Sequence, residues 1–430
     1  VRQTVSIKAH REGIMDDRQY IEDLCIKAKK ASTFIARRTT SEKNNILLRI
    51  ASLLREKSDY IIAENEKDIN TARAAGLSSA MIDRLVLNRD RIMSMSVSVE
   101  EIAALEDPVG RIENMRVRPS GIRVGQMRVP IGVVAVIYES RPNVTTDIAA
   151  LCIKSGNASI LRGGRESIHS NTALYGVVKT ALAGFGYPEE IVTLITRTDR
   201  ELVSLLLKKN DYIDIVIPRG GEGLIRRVTE ESTIPVIKHD KGVCHTFIDA
   251  GAVEEMANRI AVNAKVQRPG VCNSMETLLI HRDYPRKESL LQSLLDNKVE
   301  LRGCRRTVAL MPASVKPALE DDWAMEYLDL ILSVRIVDTM EEAMDHIARY
   351  GSGHSESIVT NDYFNAERFL KEVDSSAVFV NASTRFHDGG EFGLGAEVGI
   401  STQKLHARGA MGVEGLTTQK YVVYGSGEIR

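Results

Sequence analysis

Ile131-Gly132-Val133-Val134-Ala135-Val136-Ile137-Tyr138 is a near-continuous run of aliphatic, mostly β-branched residues, and together with the alternation downstream of it this run sets the fold class. Thr145 or Thr146 reads as the cap of a helix ending at Gly156, Ala158–Leu161 as the next strand, and Ser170–Ala183 as the next helix. Ile191–Ile195, Ile213–Ile217, Ile234–Ile237 and Thr246–Ile248 complete the strand set, with helical patterns between most of them. Strands without polar alternation, separated by helices, make a parallel sheet covered on both faces. The expected class is α/β, with a Rossmann-type parallel sheet that binds a cofactor.

On the N-terminal side, the first hundred residues read as helices. Ile21, Leu24, Cys25, Ala28, Phe34 and Ile35 recur at helical spacing, a second helix starts after Ser41 as N-cap, and a third pattern runs from Met81 to Leu105 before Asp107-Pro108. Residues 115–129 change to a strand period around Pro119-Ser120-Gly121, a β-hairpin, and Thr417–Tyr424 reads as a further strand. Protruding ribbons of this kind need a partner for their edges and often serve subunit contact. Beyond Cys272 comes a second α/β unit: strands at Leu278–Ile280, Thr307–Leu310 (weaker), Ile331–Val337, Ser357–Val359 and Ala377–Val380, with helices at Glu341–Ala348 and Phe364–Glu372. The domain expectation is therefore 1–116 with 131–245 for the cofactor, 246–403 for catalysis, and 117–130 with 404–430 as an oligomerisation ribbon. The fourteen residues before Met15 are set apart as a candidate leader.

At 430 residues the chain exceeds what one hydrophobic core usually supports. Apolar residues at 43% and charged residues at 27% exclude a disordered chain, and a net charge of −1 argues against nucleic acid or an anionic membrane as the main partner. No stretch approaches the roughly 18 apolar residues of a membrane span, and the N-terminus lacks a signal-peptide pattern. The five cysteines, Cys25, Cys152, Cys244, Cys272 and Cys304, are odd in number and widely spaced, without a C-x-x-C. They suit neither a disulfide framework nor a metal site, and point to a reducing, cytoplasmic setting.

Cys272 stands out among them. It lies in Gln267-Arg268-Pro269-Gly270-Val271-Cys272-Asn273-Ser274, a small-residue turn feeding an apolar strand. Gly270 lets the backbone bend and the residues after the cysteine offer N–H groups beside the sulfur, a setting for a thiolate nucleophile with its own oxyanion pocket. The plain alternative is a buried, inert thiol, the usual state of a free cysteine. No G-x-G-x-x-G comes after any strand. Instead two strands end in Arg162-Gly163-Gly164 and Arg219-Gly220-Gly221, each leading towards a helix. Paired glycines admit a phosphate to backbone N–H groups, and the arginine adds charge-assisted bonds. Arg165 beside the first turn suits a 2′-phosphate. A plain turn and a surface cation are the alternatives.

These motifs, taken together, resemble the aldehyde dehydrogenase superfamily, and within it the reductases that convert glutamyl phosphate to its semialdehyde in proline biosynthesis. The distinctive stretches are Tyr138-Glu139-Ser140-Arg141-Pro142-Asn143-Val144-Thr145, Leu161-Arg162-Gly163-Gly164, Gln267–Asn273, and Val380-Asn381-Ala382-Ser383-Thr384-Arg385-Phe386-His387-Asp388-Gly389-Gly390-Glu391-Phe392-Gly393. The resemblance covers nearly the whole chain. It implies that Cys272 is the nucleophile, that the Asn143 amide completes the oxyanion hole, and that Arg162 and Glu326 contact the ribose groups of the cofactor. It further implies NADPH as cofactor, L-glutamyl 5-phosphate as substrate, a homo-oligomer, and glutamate 5-kinase as a candidate partner. Arg268, Asn273, Arg385 and His387 are the residues in these motifs expected at the substrate's phosphate or carboxylate.

One departure bears on mechanism. Hydrolytic relatives carry a glutamate that activates water after the last cofactor strand, whereas Val236-Ile237-Lys238-His239-Asp240-Lys241-Gly242-Val243-Cys244-His245 has none. An acyl-phosphate reductase needs no deacylating water. An oxidative or CoA-acylating aldehyde dehydrogenase and a catalytically silent binding member of the superfamily are the alternative readings.

Overall fold

The computed structural model describes residues 16–238 and 241–430; the candidate leader lies outside these, as do His239 and Asp240 of the glutamate-free segment. The chain divides into two compact units, one running to Ile237 and taking in Gly412–Arg430, the other spanning Lys238–Met411.

The first unit opens with α1 (Asp17–Ile35), α2 (Thr40–Glu56), α3 (Ser58–Ala74), α4 (Ser79–Leu85) and α5 (Arg89–Ala104). The apolar stripe Ile21, Leu24, Cys25 and Ala28 of α1 is buried against the strand residues Val133, Ala135 and Ile160. Thr39, not Ser41, caps α2: its hydroxyl takes the Glu42 N–H while Glu42 takes the Thr39 N–H at 2.7 Å, a reciprocal pair that fixes the start two residues earlier. The pattern from Met81 to Leu105 is two helices, because Asn88 accepts the Arg91 N–H at 2.8 Å and begins α5 afresh. The mostly polar α3 has too weak an apolar period to stand out in the sequence.

Next come β1 (Ile112–Val117) and β2 (Arg123–Pro130), an antiparallel hairpin. Beyond it lies a parallel sheet: β3 (Val133–Tyr138), β4 (Ala158–Arg162), β5 (Val192–Leu194) and β6 (Ile215–Arg219), ordered β5-β4-β3-β6. Its helices are α6 (Val144–Lys154), α7 (Ile168–Gly184), α8 (Glu201–Leu206) and α9 (Glu222–Glu231). Every residue of β3 is buried, which is why the run shows no polar alternation. Neither Thr145 nor Thr146 caps α6, which begins at Val144 with Asn143 as the residue before it. The Thr145 hydroxyl instead meets the Tyr138 hydroxyl at 2.7 Å, and that of Thr146 donates back to the Asn143 carbonyl at 2.9 Å. The run Ile234–Ile237 makes only a single parallel bridge, Val216 to Val236, since Pro235 has no N–H to extend a ladder.

In the second unit a seven-stranded parallel sheet is built from β7 (Cys244–Ile248), β8 (Met275–His281), β9 (Glu300–Gly303), β10 (Val315–Pro317), β11 (Ile331–Val337), β12 (Ser355–Val359) and β13 (Ala377–Val380), in the order β10-β9-β11-β8-β7-β12-β13. The helices are α10 (Glu254–Val266), α11 (Lys287–Asp296), α12 (Arg305–Leu310), α13 (Met340–Tyr350) and α14 (Tyr363–Glu372). Thr246–Ile248, read with the cofactor strands, thus belongs to this second sheet, where β7 lies between β8 and β12. Thr307–Leu310 is helical rather than extended: a four-residue apolar run has no period that separates the two states, and the strand there is the polar β9. A small antiparallel pair, β14 (Gly399–Ser401) with β15 (Gly409–Met411), closes the unit.

The chain then returns to the first unit as β16 (Thr417–Tyr424), antiparallel to β2 along its whole length, giving the ribbon order β1-β2-β16. Val117, Tyr421 and Val423 stand exposed on it. Among the described residues no helix is long and apolar enough to cross a membrane.

Candidate active site

The loop between α10 and β8 holds Cys272, which is only half-buried, unlike Cys25, Cys152 and Cys244. Burial pushes the Cys25 and Cys152 thiols up to about 12 and that of Cys244 well above its ordinary value, so none of the three supplies a thiolate. Cys304 differs again. Burial would raise it, but the Thr307 hydroxyl and backbone N–H groups, from Ile336 among others, outweigh that and lower it; hydrogen bonds, not the flanking arginines, do so.

The backbone around Cys272 is tightly packed. Its carbonyl accepts the Cys244 thiol at 3.1 Å, and a Cβ at Gly242 would stand 2.0 Å from that oxygen. Only glycine fits there. The Gly242 N–H is donated to Oε1 of Glu326 at 2.9 Å, so the expected nucleophile and the expected ribose-binding glutamate share one short segment as neighbour.

Asn273 and His387, expected at the substrate, are both buried. Asn273 Nδ2 donates to the His387 carbonyl at 2.9 Å, and the Thr384 hydroxyl returns a bond to the Asn273 carbonyl at 2.8 Å. His387 has no exposed surface, its Nδ1 lies 2.8 Å from the Ser355 hydroxyl, and its ring stacks on Phe392. Both staple the turn at Thr384–Phe386 beneath the cysteine loop, which their polarity alone does not distinguish from ligand contact. The same staple brings up Arg385, whose Nε donates to Gln267 Oε1 at 2.9 Å. Burial, then the neighbouring Arg268 charge, lower the Arg385 pKa while the Asp388 carboxylate opposes them, so two cations flank the loop. Arg268 itself is exposed.

The remaining candidates lie in the first unit, where the strand order reverses between β3 and β6, the place where open α/β sheets bind ligands. Gly163 and Gly164 come directly after β4; a Cβ would stand 2.1 Å from Asn171 Nδ2 at the first and 2.0 Å from Glu166 Oε1 at the second. Arg162 is drawn back over this turn, donating to the carbonyls of Gly163 at 2.8 Å and Thr198 at 2.9 Å, while Arg165 is exposed. After β6, a Cβ at Gly220 would stand 2.4 Å from Glu139 Oε2, and that carboxylate already takes the Gly221 N–H at 3.1 Å. Arg162 and the exposed Arg165 give the first turn the positive charge that suits an anionic dinucleotide, although the Glu166 carboxylate stands against Gly164. At the second a phosphate would compete with Glu139. If Arg162 serves the cofactor, Arg162→Ala is expected to raise the NADPH dissociation constant roughly 10- to 150-fold, the worth of one charge-assisted hydrogen bond, with little change in the rate of the bound complex; titration by fluorescence checks it.

Asn143 precedes α6 and its Nδ2 donates to Asp147 Oδ2 at 2.9 Å. Asp147 belongs to no motif in the sequence. Burial pushes its carboxyl from 3.8 up to about 6, against the opposing pull of the Asn143 bond and the Arg219 charge. A folded-state value above the unfolded one means that stability is fullest below about pH 4 and is lost as pH rises to about 6. Asp147→Asn keeps an oxygen for Asn143 and has no charge to bury. The melting temperature of the variant relative to the parent is expected to climb across that window; a flat difference would show that Asp147 ionises unhindered.

The sequence pattern of the aldehyde dehydrogenase family matches residues 13–302. A gamma-glutamyl phosphate reductase of Moorella thermoacetica is 54% identical over 406 residues, covering 94% of this chain and 97% of that protein. One from Desulfatibacillum aliphaticivorans is 54% identical over 418 residues, covering 97% of this chain and 100% of its own. The crystal structure of gamma-glutamyl phosphate reductase from Thermotoga maritima superposes with a TM-score of 0.93 at 44% identity, covering 95% of this chain and 99% of that one. On this family match, these identities and this superposition, the chain belongs to the aldehyde dehydrogenase family and, within it, to the gamma-glutamyl phosphate reductases.

Proposed function

We propose that this protein reduces L-glutamyl 5-phosphate to L-glutamate 5-semialdehyde, releasing phosphate, through a thioester on Cys272. The observation that carries the reading is the segment that packs on the nucleophile loop: residues 236–245 supply Gly242 and the buried Cys244 thiol and contain no glutamate of their own, while the Glu326 carboxylate beside them is held by the Gly242 N–H. A thioester formed there is kept from hydrolysis and left for reduction.

The Cys272 sulfur gives up its proton and attacks the acyl carbon, forming the C–S bond. The tetrahedral oxyanion takes hydrogen bonds from N–H groups of the loop, a role that the family resemblance also implies for the Asn143 amide, and its collapse breaks the C–O bond to phosphate. Phosphate is a good leaving group, so no strong acid is required, and Arg268 and Arg385 supply the positive charge that an acyl phosphate brings its dianion to meet. NADPH, when bound, supplies the hydride; Arg162 and Arg165 suit its ribose and 2′-phosphate, and Glu326 its second ribose. Reduction gives a thiohemiacetal, which releases the aldehyde and restores the thiol.

The test runs the reaction backwards: semialdehyde, inorganic phosphate and NADP should give NADPH only when all three are present. Product formation without phosphate, or with coenzyme A in its place, would instead support the oxidative or CoA-acylating reading.

The ribbon of β1, β2 and β16 is our candidate for self-association, with Val117, Tyr421 and Val423 on its exposed surface. Removing the residues after Leu416 is expected to lower the sedimentation coefficient; an unchanged oligomer would remove that role. The kinase that makes the acyl phosphate, glutamate 5-kinase, is the natural partner for direct transfer of so labile a substrate.

A further inference from the structure

We infer that the buried ion pair of Lys265 and Glu276 is a positioning device that holds two loops together, the one carrying Cys272 and the one carrying Glu326. The inference rests on the proposed roles of Cys272 as nucleophile and Glu326 as ribose ligand.

Lys265 is in the last turn of α10 and Glu276 is the second residue of β8, so the pair closes the two ends of the nucleophile loop. Nζ and Oε2 are 2.6 Å apart, and neither side chain has any exposed surface. The second carboxylate oxygen, Oε1, accepts the Leu328 N–H at 3.2 Å. Leu328 is held at φ +55°, a left-handed conformation that a branched side chain resists, so its loop needs external restraint. Its carbonyl in turn lies near Gly270 of the nucleophile loop, 3.7 Å from where a Cβ would be. Tyr327 is pinned through its hydroxyl to Asp322 Oδ1 and Ser333 Oγ, both at 2.9 Å, with the Lys265 ammonium 5.9 Å from its ring. From this mount Glu326 reaches the Gly242 N–H, which borders the Cys272 carbonyl.

Stability alone does not account for such a pair. Burial pushes the Glu276 carboxyl up to about 7 and the Lys265 ammonium down, so both charges are kept at a cost that a pair of apolar residues would avoid. What apolar residues cannot do is bond across the loop and, with the same carboxylate, receive the N–H of a strained residue in another loop. One side chain thereby sets the sulfur and the ribose-binding glutamate in a single frame.

Two double variants of similar volume separate the two holds. Lys265→Met with Glu276→Gln removes the charges but keeps an amide oxygen for Leu328; Lys265→Met with Glu276→Leu removes that acceptor as well. In both, alkylation of Cys272 by iodoacetamide, monitored on its own peptide, is expected to slow, and kcat to fall roughly 10- to 100-fold, the effect of displacing a reacting group by about 1 Å. Only the Leu variant should also show a raised KM for NADPH, about tenfold for one lost hydrogen bond. Folded double variants with parental alkylation, kcat and KM overturn the inference, as does an equal KM in the two. Hydrogen exchange on the parent enzyme needs no variant: the Leu328 amide should exchange far more slowly than those of the exposed residues around it, and rapid exchange there overturns the inference even if neither variant folds. Alkylation and exchange read loop geometry, not turnover, so they stand or fall separately from the proposed reaction.

Discussion

Cys272→Ser is expected to lower turnover on the order of 10⁴-fold or more, while the melting temperature and NADPH affinity stay at parental values. The loss should be this large because a hydroxyl needs a general base where a thiol does not. Gly242 and the Cys244 thiol pack on the loop, and two histidines of the same unit, His354 and His387, are buried in bonds to Ser355. A thiol can reach its anion without such help; a hydroxyl, far less acidic, cannot. Acid-quenched enzyme should carry an acyl mass on the Cys272 peptide of the parent and none on that of the variant. Retention of roughly a hundredth of parental turnover would sink the covalent route.

Asp107→Ala is expected to be the most damaging single change to stability away from the chemistry. Asp107 lies 2.5 Å from the Lys43 ammonium, with 6% and 1% of the two side chains exposed. It also accepts the Thr40 hydroxyl at 2.9 Å and the Val109 N–H at 3.0 Å. Lys154, which donates to Asn44 and the Ala103 carbonyl at 2.8 Å each, is a second buried ammonium within its field. Burial lowers the Lys154 pKa, Asp107 raises it and Lys43 lowers it again, so removing the carboxylate leaves two interior cations facing each other. Breaking a buried pair typically costs about 3–5 kcal/mol. For a unit of this size that is on the order of 10 °C in melting temperature. A shift of only a degree or two would show that water already reaches the lysines.

The parts of this molecule that are legible in its sequence are those whose signal is local. Val133–Tyr138 announces a strand buried on both faces because each residue's environment is written in its own side chain, and Cys272 is marked by the turn around it. Where the deciding partner is distant, the local text misleads. Asp107 reads as the closing residue of a helix, though its weight comes from Lys43 and Lys154. Lys265 and Glu276 look like ordinary surface charges until α10 and β8 bring them together. Gly242 has no turn to explain it; its reason is the Cys272 carbonyl. Asn273 and His387 show the opposite case: their chemistry suits a ligand, while the structure buries both, with Asn273 Nδ2 on the His387 carbonyl and the His387 ring on Ser355. Asp147 carries no motif, and only Asn143 beside it shows what it holds.

The pairing of β16 with β2 also sets the order in which this protein can be finished. Leu416, just before β16, is wholly buried and its carbonyl takes the Asn157 side-chain N–H at 2.8 Å. The ribbon and this end of the first unit's parallel sheet therefore wait for residues made after the other unit. Between Ile237 and Gly412 the ribosome must deliver the whole of the other unit. At about 5–20 residues per second that interval is roughly 10–35 s. Throughout it the free edge of β2 is exposed to whatever strand comes past, including the same hairpin on a neighbouring nascent chain.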